Sequence, residues 1–248
     1  MDTKICFVTG GSKGIGRGIA IELANQGYNV AFTYNTNKNA ALAIENDMAE
    51  KGFNVKAFRM NIEERHSINN AICKAEEHFS GHIAVLINNA AIAQEKPLHK
   101  ITDHDWEKML KINLQGPFIC TQEVLPKMKE TEWGRIVNIT SIGGQWGGFN
   151  QVHYAASQAA LINFTQSIAK IHSIDGITCN AIAIGLVDTE MSGPELTTEK
   201  GKKKVANIPI GRIGEIQEIA HAVTFLVSKG ASYITGQTIN LNGGMYFG

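Results

Sequence analysis

A cluster of glycines near the start of the chain has the spacing of a phosphate-binding turn. The run Thr9–Gly16 directly follows a short apolar segment. Glycines permit a sharp turn and let backbone N–H groups approach a pyrophosphate that rests on the N-terminus of the next helix. The triphosphate-binding loop needs Gly-Lys followed by Ser or Thr, which Gly14-Ile15-Gly16-Arg17 lacks. The turn therefore predicts a dinucleotide site formed by Gly10, Ser12, Lys13, Gly14, Ile15 and Gly16.

The end of the second predicted strand indicates which dinucleotide is bound. A carboxylate at that position would hold the ribose 2′-hydroxyl of NAD and repel a 2′-phosphate. The sequence Tyr34-Asn35-Thr36-Asn37-Lys38 has no carboxylate there, and Lys13 lies inside the glycine turn. The pattern favours NADP(H), with Asn35 and Lys13 at the 2′-phosphate. The alternative interpretation of Lys13 is a solvated loop residue.

Short apolar runs alternate with longer amphipathic stretches, and these elements must position the site. The apolar runs are dense in Val, Ile and Phe, which is typical of strands buried on both faces. They predict strands at Ile5–Thr9, Asn29–Tyr34, Val55–Met60, Ile83–Ile87, Arg135–Thr140, Ile177–Ile182 and Thr238–Leu241. The amphipathic stretches predict helices at Gly16–Gln26, Ala40–Lys51, Glu64–Phe79, Asp103–Lys129, Val152–Ser173 and Glu215–Ser228.

This alternation predicts an α/β protein. Parallel strands joined by right-handed crossovers give a Rossmann-type, doubly wound sheet of about seven strands with helices on both faces. No repeat or linker divides the sequence, so we expect one domain over residues 1–248. The polar segment 186–208 departs from the alternation, and we expect it to be an irregular substrate lid. Its lysine-rich run, Lys200–Lys204, is interpreted as a solvated helix face rather than an anion site.

The composition excludes several classes of protein. The 248 residues are 44% hydrophobic and 19% charged, which is unlike a disordered chain. Lys+Arg and Asp+Glu both number 23, so the chain lacks the positive charge of a nucleic-acid binder. We find no apolar run of the roughly 20 residues that span a bilayer and no secretion leader. The four cysteines and eight histidines lack metal-ligand spacing, so we expect no metal, reduced thiols and a cytoplasmic location.

Further motifs follow the glycine turn in a fixed order. Together with it, they make the sequence resemble the short-chain dehydrogenase/reductase family over essentially its whole length. The resemblance is strongest to the 3-oxoacyl-[acyl-carrier-protein] reductase branch of that family. Besides Thr9–Gly16, it rests on Asn88-Asn89-Ala90-Ala91, Asn113, Ser141, Tyr154, the turn Ala183–Thr189, Gly211–Gly214, and Gly236-Gln237 with Asn242-Gly243-Gly244.

The resemblance implies an NADPH-dependent oxidoreductase that reduces a ketone to a secondary alcohol. Reduction places negative charge on the carbonyl oxygen, which needs a proton donor and a hydrogen-bonding partner. Tyr154 would donate the proton, Ser141 would orient the carbonyl, and Asn113 would hold a water that leads to solvent. The residues that the resemblance places at the cofactor, beyond the glycine turn and Asn35, are Asn61, Ile62, Asn89, Ala90, Tyr154, Gln158, Gly185, Val187 and Thr189.

One residue departs from the family pattern at the reactive centre. The family has a lysine four residues after the tyrosine, whereas this chain has Gln158. A nearby ammonium group would lower the phenol pKa from its ordinary value of ~10. Gln158 can still form hydrogen bonds to the cofactor ribose, but it carries no charge, so we expect cofactor binding to persist and the chemical step to be slow. An introduced substitution, a weak natural enzyme and a non-catalytic relative all remain open.

The substrate and the assembly are implied only by the resemblance. A 3-oxoacyl thioester is the leading substrate, and a small ketone or keto-sugar is the alternative. The family's carrier-protein branch has basic residues near the mouth of the site, whereas our alignment places Glu132 and Asp175 there, which opposes docking of an acidic carrier. Trp146 and Phe149 are candidates for an apolar pocket. A homotetramer or dimer is expected, and a cofactor-binding sensor or partner subunit without turnover is the competing function.

Overall fold

The computed structural model describes residues 4–189 and 198–248, which form a seven-stranded sheet. Every pair of neighbouring strands in it is parallel, and the strand order is β3-β2-β1-β4-β5-β6-β7. The predicted sheet is therefore confirmed. Its strands are β1 (Ile5–Val8), β2 (Asn29–Tyr34), β3 (Val55–Arg59), β4 (Ile83–Asn88), β5 (Gly134–Ser141), β6 (Ile177–Ile184) and β7 (Thr238–Leu241).

The helices connect these strands. Their bounds are α1 (Gly14–Asn25), α2 (Lys38–Glu50), α3 (Arg65–Phe79), α4 (Asp103–Leu110), α5 (Gly116–Glu130), α6 (Gly143–Trp146), α7 (Val152–His172), α8 (Glu199–Ala206) and α9 (Ile216–Val227). Short 3-10 turns lie at Leu98–Lys100, Ser173–Asp175 and Lys229–Ala231.

Two apolar cores lie on opposite faces of the sheet, because successive strand residues point in opposite directions. Cys6 and Val8 of β1 pack with α1, α2 and α9 in one core. Ile5 and Phe7 pack with α3, α5 and the C-terminal part of α7 in the other. The predicted placement of helices on both faces is thus confirmed, and strands that are buried on both sides explain the nearly continuous apolar runs in the sequence.

The sheet order reverses direction between β1 and β4. The chain passes from β1 outward to β2 and β3, then returns to β4 on the other side of β1 and continues to β7. In open parallel sheets, the crevice beyond the carboxyl ends of the two strands at such a switch point binds ligands. The glycine turn after β1 and Asn89 after β4 both lie at this crevice.

One long predicted helix is interrupted. The prediction of a single helix over Asp103–Lys129 is wrong, because a π-helical turn, Lys111–Gln115, separates α4 from α5. Pro117 has no N–H to give to the carbonyl of Asn113, four residues earlier, and the N–H of Gly116 donates to Lys111, five residues earlier. A proline at the second position of α5 is therefore the physical cause of the wider turn.

The segment 186–208, expected to be an irregular lid, contains a helix. Helix α8 begins after Thr198, whose side chain accepts a hydrogen bond from Gly201 N at 3.0 Å. Lys202 pairs with Glu199 on its exposed side, in keeping with the interpretation of the lysine run as a solvated helix face. Residues 190–197 of the expected lid lie outside the described residues.

Two features bear on the classes of protein considered above. Over residues 4–189 and 198–248, none of the helices has both the length and the apolar character required to cross a membrane. All four cysteines are free thiols, and Cys6, Cys120 and Cys179 are buried. Burial raises the pKa of the Cys120 thiol to about 12, so this group stays protonated and inert at neutral pH.

Candidate active site

The glycine turn has the geometry of an anion cradle. Gly10 and Gly14 adopt positive φ values of 68° and 50°, which disfavour residues with a Cβ atom. Lys13, the residue before α1, makes no side-chain capping bond, and the first turn of the helix has no acidic residue. The first N–H groups of α1 are thus uncapped by side chains, and a helix N-terminus of this kind favours a phosphate. The residues present fit a dinucleotide pyrophosphate.

Two threonines hold this turn in place. Thr33, near the end of β2, accepts a hydrogen bond from Gly10 N on its Oγ1 at 3.1 Å, and its carbonyl accepts one from Gly11 N at 2.9 Å. Thr9 Oγ1 accepts from the backbone N–H groups of Asn89 and Ala90, both at 2.9 Å. The sequence analysis missed both threonines. Their position at or next to the carboxyl end of a strand beside the glycine turn was the available signal.

Asn89 connects the two strands at the switch point. Its Nδ2 donates to the carbonyls of Thr9 at 2.9 Å and Gly10 at 3.2 Å. A Cβ at Gly16 would collide with this same Nδ2 and with the Gly10 carbonyl, so only glycine fits there. Asn89 and Ala90 are therefore placed beside the glycine turn, and their contact with the cofactor stays a prediction.

The predicted adenosine-binding residues lie in two different settings. Asn35 and Lys13 are exposed, and the Gly11–Thr33 bond places the glycine turn next to the end of β2. Asn61 uses its side chain locally, donating to Glu64 at 2.8 Å and accepting from Glu63 N at 3.2 Å. Ile62 packs so closely on Gly116 that a Cβ there would overlap it. Asn61 thus shapes the turn before α3, while its role at the cofactor stays a prediction.

Ser141 and Tyr154 come together at the carboxyl end of β5. Ser141 is the last residue of this strand, and its Oγ accepts a hydrogen bond from Gly143 N at 3.1 Å. Tyr154, in the first turn of α7, is half-buried and interacts with the Ser141 side chain. Burial raises the pKa of the Tyr154 phenol above its ordinary value, and the hydrogen-bonding Ser141 side chain opposes this only in part. The phenol therefore stays protonated at neutral pH.

Close packing of α6 on α7 fixes the distance between Ser141 and Tyr154. A Cβ at Gly144 would lie 2.8 Å from both Ala159 N and the Gln158 carbonyl carbon. Real Cβ atoms do not approach backbone that closely, so Gly144 lets the segment after Ser141 rest directly on the helix that carries Tyr154.

Replacing Gly144 by alanine should separate these two elements. We expect Gly144→Ala to destabilise the fold by about 1–3 kcal/mol, the usual cost of overpacking, and to lower ketone reduction by about tenfold or more. Denaturant unfolding and steady-state kinetics would measure the two effects. Gly230→Ala is the control, since a Cβ there would meet only Ser228 Oγ at 3.4 Å, an ordinary contact, and its φ is not positive. Equal activity loss in both variants would contradict this account.

Asn113 clamps the segment that follows β4. Its Oδ1 accepts from Ile92 N and its Nδ2 donates to Ile92 O, both at 2.9 Å. The same Nδ2 donates to Ser157 Oγ at 3.1 Å, and Ser157 donates to the carbonyl of Tyr154 at 2.7 Å. Both amide hydrogens are used within the protein, so the side chain acts as a clamp. The expected water-holding role stays a prediction. Ser157, missed from the sequence, lies one helical turn from Tyr154.

Gln158 lies one turn after Tyr154 on α7 and is only 2% exposed. Within residues 4–189 and 198–248, its side chain forms no hydrogen bond, and no positively charged group contributes to the Tyr154 pKa. The amide is thus available to a bound ligand, but the phenol has no neighbouring cation. The structure provides no substitute for the missing lysine among the residues it describes.

The remaining predicted cofactor residues follow β6. Gly185 N donates to Leu241 O at 3.1 Å, and a Cβ at Gly185 would lie 2.9 Å from the Cα of Asn242. Val187 is buried and forms an isolated parallel bridge with Gly214. Thr189 is the last residue described before the gap at 190–197. All three lie beyond the carboxyl end of β6, on the same edge of the sheet as Ser141.

Several known proteins are similar to this chain. A profile of the family described as Enoyl-(Acyl carrier protein) reductase matches residues 10–246. The 3-oxoacyl-[acyl-carrier-protein] reductase FabG of Aquifex aeolicus is 41% identical over 244 residues, covering 98% of this chain and 97% of the relative. The acetoacetyl-CoA reductase of Shinella zoogloeoides is 39% identical over 245 residues, covering 99% of each.

Solved structures agree with these relatives. A blue fluorescent protein from a metagenomic library, crystallised in complex with NADPH, superposes with a TM-score of 0.92 at 34% identity and covers 98% of both chains. The structure of gox2181 superposes with a TM-score of 0.94 at 29% identity, covering 99% of this chain and 96% of that one. The Rossmann-type fold and the resemblance are confirmed, and the chain belongs to the short-chain dehydrogenase/reductase family of oxidoreductases.

Proposed function

We propose that this protein uses NADPH to reduce a ketone to a secondary alcohol, and that its substrate is a 3-oxoacyl thioester. The observation that carries the proposal is the position of Tyr154 next to Ser141, on the same sheet edge as the glycine turn: a Cβ at Gly143 would lie 3.4 Å from Ser141 Oγ and 4.0 Å from the Tyr154 ring. Relatives named 3-oxoacyl-[acyl-carrier-protein] reductase and acetoacetyl-CoA reductase support the substrate class. The solved relative that holds NADPH supports the cofactor.

Several residues of this chain each have a separate role in the proposed reaction. Bound NADPH supplies the hydride that is added to the carbonyl carbon. The Ser141 hydroxyl orients the carbonyl oxygen, and the Tyr154 phenol donates a proton to that oxygen as negative charge develops on it. Asn113 and Ser157 hold the Tyr154 turn of α7 against the segment after β4. Gln158 binds the nicotinamide ribose through its amide.

The protonation state of Tyr154 favours the reductive direction. A phenol whose pKa is raised remains protonated at neutral pH, as proton donation requires. Oxidation of an alcohol needs the phenolate as a base, and this form is scarce below the raised pKa. The same high pKa makes the phenol a weak acid, so the reduction should be slow.

Aromatic side chains at the rim of the site favour a substrate that has an apolar acyl chain. The ring of Trp146 meets Tyr246 edge-on at 6.3 Å between centroids, and Phe149 is 90% exposed. Asp175 lies just before β6 and Glu132 just before β5, so within this chain both lie at the amino ends of the strands, on the opposite edge of the sheet from Ser141. The expected placement of these two acidic residues near the mouth of the site is therefore wrong for a single chain.

Assembly through the long helices is part of this proposal. An apolar groove of about 620 Å³ lies where the end of α4, the π-turn and the start of α5 face α7, and its apolar lining is Leu110, Leu114, Phe118 and Phe164. Phe118 and Phe164 contact each other edge-on at 6.3 Å between ring centroids. A homotetramer or dimer that covers this groove would remove its apolar surface from water.

Cofactor preference offers a charge-based prediction. Asn35→Asp would place a carboxylate beside the 2′-phosphate, so we expect the ratio of kcat/KM for NADPH over NADH to fall by about 10- to 100-fold, corresponding to about 1.4–2.7 kcal/mol. Steady-state kinetics with both cofactors would measure the ratio. Asn37→Asp is a matched exposed control in the same loop. An unchanged ratio in Asn35→Asp would show that this loop does not contact the phosphate.

The decisive experiment compares turnover with binding. Oxidation of NADPH is followed with acetoacetyl-CoA as substrate, and NADPH binding is measured separately by fluorescence. Slow turnover with tight binding supports the proposed reductase. The competing function, a sensor or partner subunit without turnover, is favoured by Gln158, because no cation in the described part of the chain assists Tyr154. Tight binding without turnover on any 3-oxoacyl thioester, ketone or keto-sugar would establish that alternative.

A further inference from the structure

A buried histidine precedes Tyr154 on α7 and belongs to a polar network outside the reactive centre. The side chain of His153 is completely buried, and its Nε2 lies 2.8 Å from Gln94 Oε1. Gln94 Nε2 in turn donates to Asp105 Oδ1 at 3.2 Å. The other carboxylate oxygen of Asp105 accepts from Lys96 Nζ at 2.5 Å and from the backbone and side chain of Thr102. The network thus connects α7, the segment after β4 and the start of α4.

The chemistry of this network fixes the tautomer of the histidine. The ionised Asp105 carboxylate can only accept hydrogen bonds, because Lys96 and Thr102 hold its pKa well below the ordinary range. The Gln94 amide nitrogen must therefore face Asp105, which leaves Gln94 Oε1, an acceptor, facing His153. His153 must then carry its proton on Nε2. Its Nδ1 is a buried acceptor that has no partner among the described residues.

The segment 89–97 forms a bridge between the two halves of the site. At its start, Asn89 and Ala90 are tied to Thr9 beside the glycine turn. In its middle, Ile92 is held by Asn113. At its end, Gln94 meets His153, and Lys96 N donates to Asn150 O at 2.6 Å just before α7. The bridge therefore sets the separation between the cofactor turn and the helix that carries Tyr154.

We propose that His153 is a positioning residue for the reduction: as the neutral Nε2–H tautomer it fastens the bridge segment 89–97 to α7 through Gln94, and so keeps Tyr154 in register with the bound cofactor. The proposal rests on the proposed function. His153 touches neither substrate nor cofactor in this role, and it acts through the backbone of the bridge and of α7. A misplacement of about 1 Å at a reacting group is enough to lower a rate by up to ~100-fold.

The burial of His153 supplies a titration signature for this role. Burial lowers the pKa of its imidazole, Asp105 on α4 opposes this, and Lys96 on the bridge adds to it. Protonation would add an N–H at Nδ1, where no acceptor lies among the described residues. The unfolded chain takes up a proton near pH ~6.5 while the folded chain does not. Stability attributable to His153 is therefore present above pH ~6.5 and is lost as the pH falls towards the lower pKa of the folded state.

Three variants test the proposal through turnover. His153→Phe removes the donor to Gln94, and we expect kcat to fall by about 10- to 100-fold with the Kd for NADPH unchanged. His153→Gln can still donate from its amide and should recover most of the loss. Ile68→Val shortens a fully buried side chain on α3 and controls for reduced stability alone. A kcat in His153→Phe equal to that of the parent and of Ile68→Val would overturn the proposal.

Two further measurements test the connection without turnover. Nitrogen-15 NMR of the parent should show the Nε2–H tautomer at neutral pH, and the opposite tautomer would overturn the proposal. Amide hydrogen exchange at Lys96 should speed up at least tenfold in His153→Phe and remain slow in Ile68→Val; unchanged protection in His153→Phe would also overturn it. Absence of turnover in both the parent and Gln158→Lys would count against the proposed function, whereas the exchange result would still decide whether His153 fastens the bridge.

Discussion

Replacing Gln158 by lysine is expected to raise the kcat for ketone reduction by about 10²-fold. Tyr154 is half-buried next to Ser141, and no cation among the described residues lowers its pKa. An ammonium group one helical turn away would favour the phenolate and so make the phenol a stronger acid. Acid–base assistance of this kind is typically worth ~10²–10⁴-fold. Stopped-flow measurement of NADPH oxidation with acetoacetyl-CoA would give the rate of the chemical step directly.

The same substitution should move the pH dependence. The unsubstituted protein needs the Tyr154 phenolate for alcohol oxidation. Because the pKa of this phenol is raised, the rate of oxidation should still be rising at pH ~10, the ordinary pKa of tyrosine. In Gln158→Lys, the lower phenol pKa should bring the rise towards neutral pH. Reduction uses the protonated phenol, so its rate should decline at high pH in both proteins. The decline should begin at a lower pH in Gln158→Lys than in the unsubstituted protein.

Gln158→Met separates charge from size in this experiment. Methionine has a similar length but carries neither charge nor amide, so we expect no gain in kcat and weaker binding of NADPH. Gln158 is only 2% exposed, so a lysine there loses most of its hydration before the cofactor binds. If Gln158→Lys folds and binds NADPH but reduces no ketone faster than the parent does, the missing charge does not limit this site, and the competing function without turnover gains support.

Removal of the Tyr154 hydroxyl is expected to have the second large effect. Tyr154→Phe should lower kcat by at least ~10²-fold and leave the Kd for NADPH within about threefold, because the hydroxyl is the proposed proton donor. The measurement is best made in the Gln158→Lys background, where the expected rate is high enough to show a fall of this size. Fluorescence titration with NADPH would report binding in the same samples.

Ser141→Ala provides the comparison for this variant. Loss of the Ser141 hydroxyl removes the group that orients the carbonyl, and it also removes the hydrogen-bonding partner that partly opposes the rise of the phenol pKa. We expect a fall in kcat/KM of ~10²-fold or more that is not additive with Tyr154→Phe, since both residues act on one oxygen. Retention of most activity in Tyr154→Phe would remove the phenol from the mechanism.

Much of the fold could be predicted from local patterns. Each predicted strand appears within two residues of its expected bounds, because parallel strands buried on both faces leave continuous Val- and Ile-rich runs. The π-turn at Lys111–Gln115 was not predicted, and for α8 only the solvated helix face at Lys200–Lys204 was expected, inside a segment otherwise predicted to be irregular. Amphipathic periodicity alone does not distinguish an α-turn from a slightly wider π-turn, and the polar composition of 198–208 resembles a loop.

The candidate site was predictable where one residue type is required by chemistry or by space. Gly10, Gly14 and Gly16 fall in this class, whereas the role of Tyr154 as a proton donor came from the family resemblance and stays a prediction. The sequence did not single out three other residues, Thr33, Ser157 and Gln94. Polar residues of these types occur at many positions that have no role in a site. Their importance depends on partners 23 residues away for Thr33 and 44 for Ser157, and no local sequence pattern specifies such a partner.

The order of residue types along the chain was sufficient to determine the sheet, the dinucleotide turn, and the presence of a tyrosine without its usual lysine. Only the folded arrangement showed that Asn113 is a clamp, that Tyr154 meets Ser141 with no cation nearby among residues 4–189 and 198–248, and that His153 is tied to Gln94. The physical reason is that strand and turn preferences act between neighbours in sequence. Proton affinity and hydrogen bonding instead depend on burial and on groups brought close by folding.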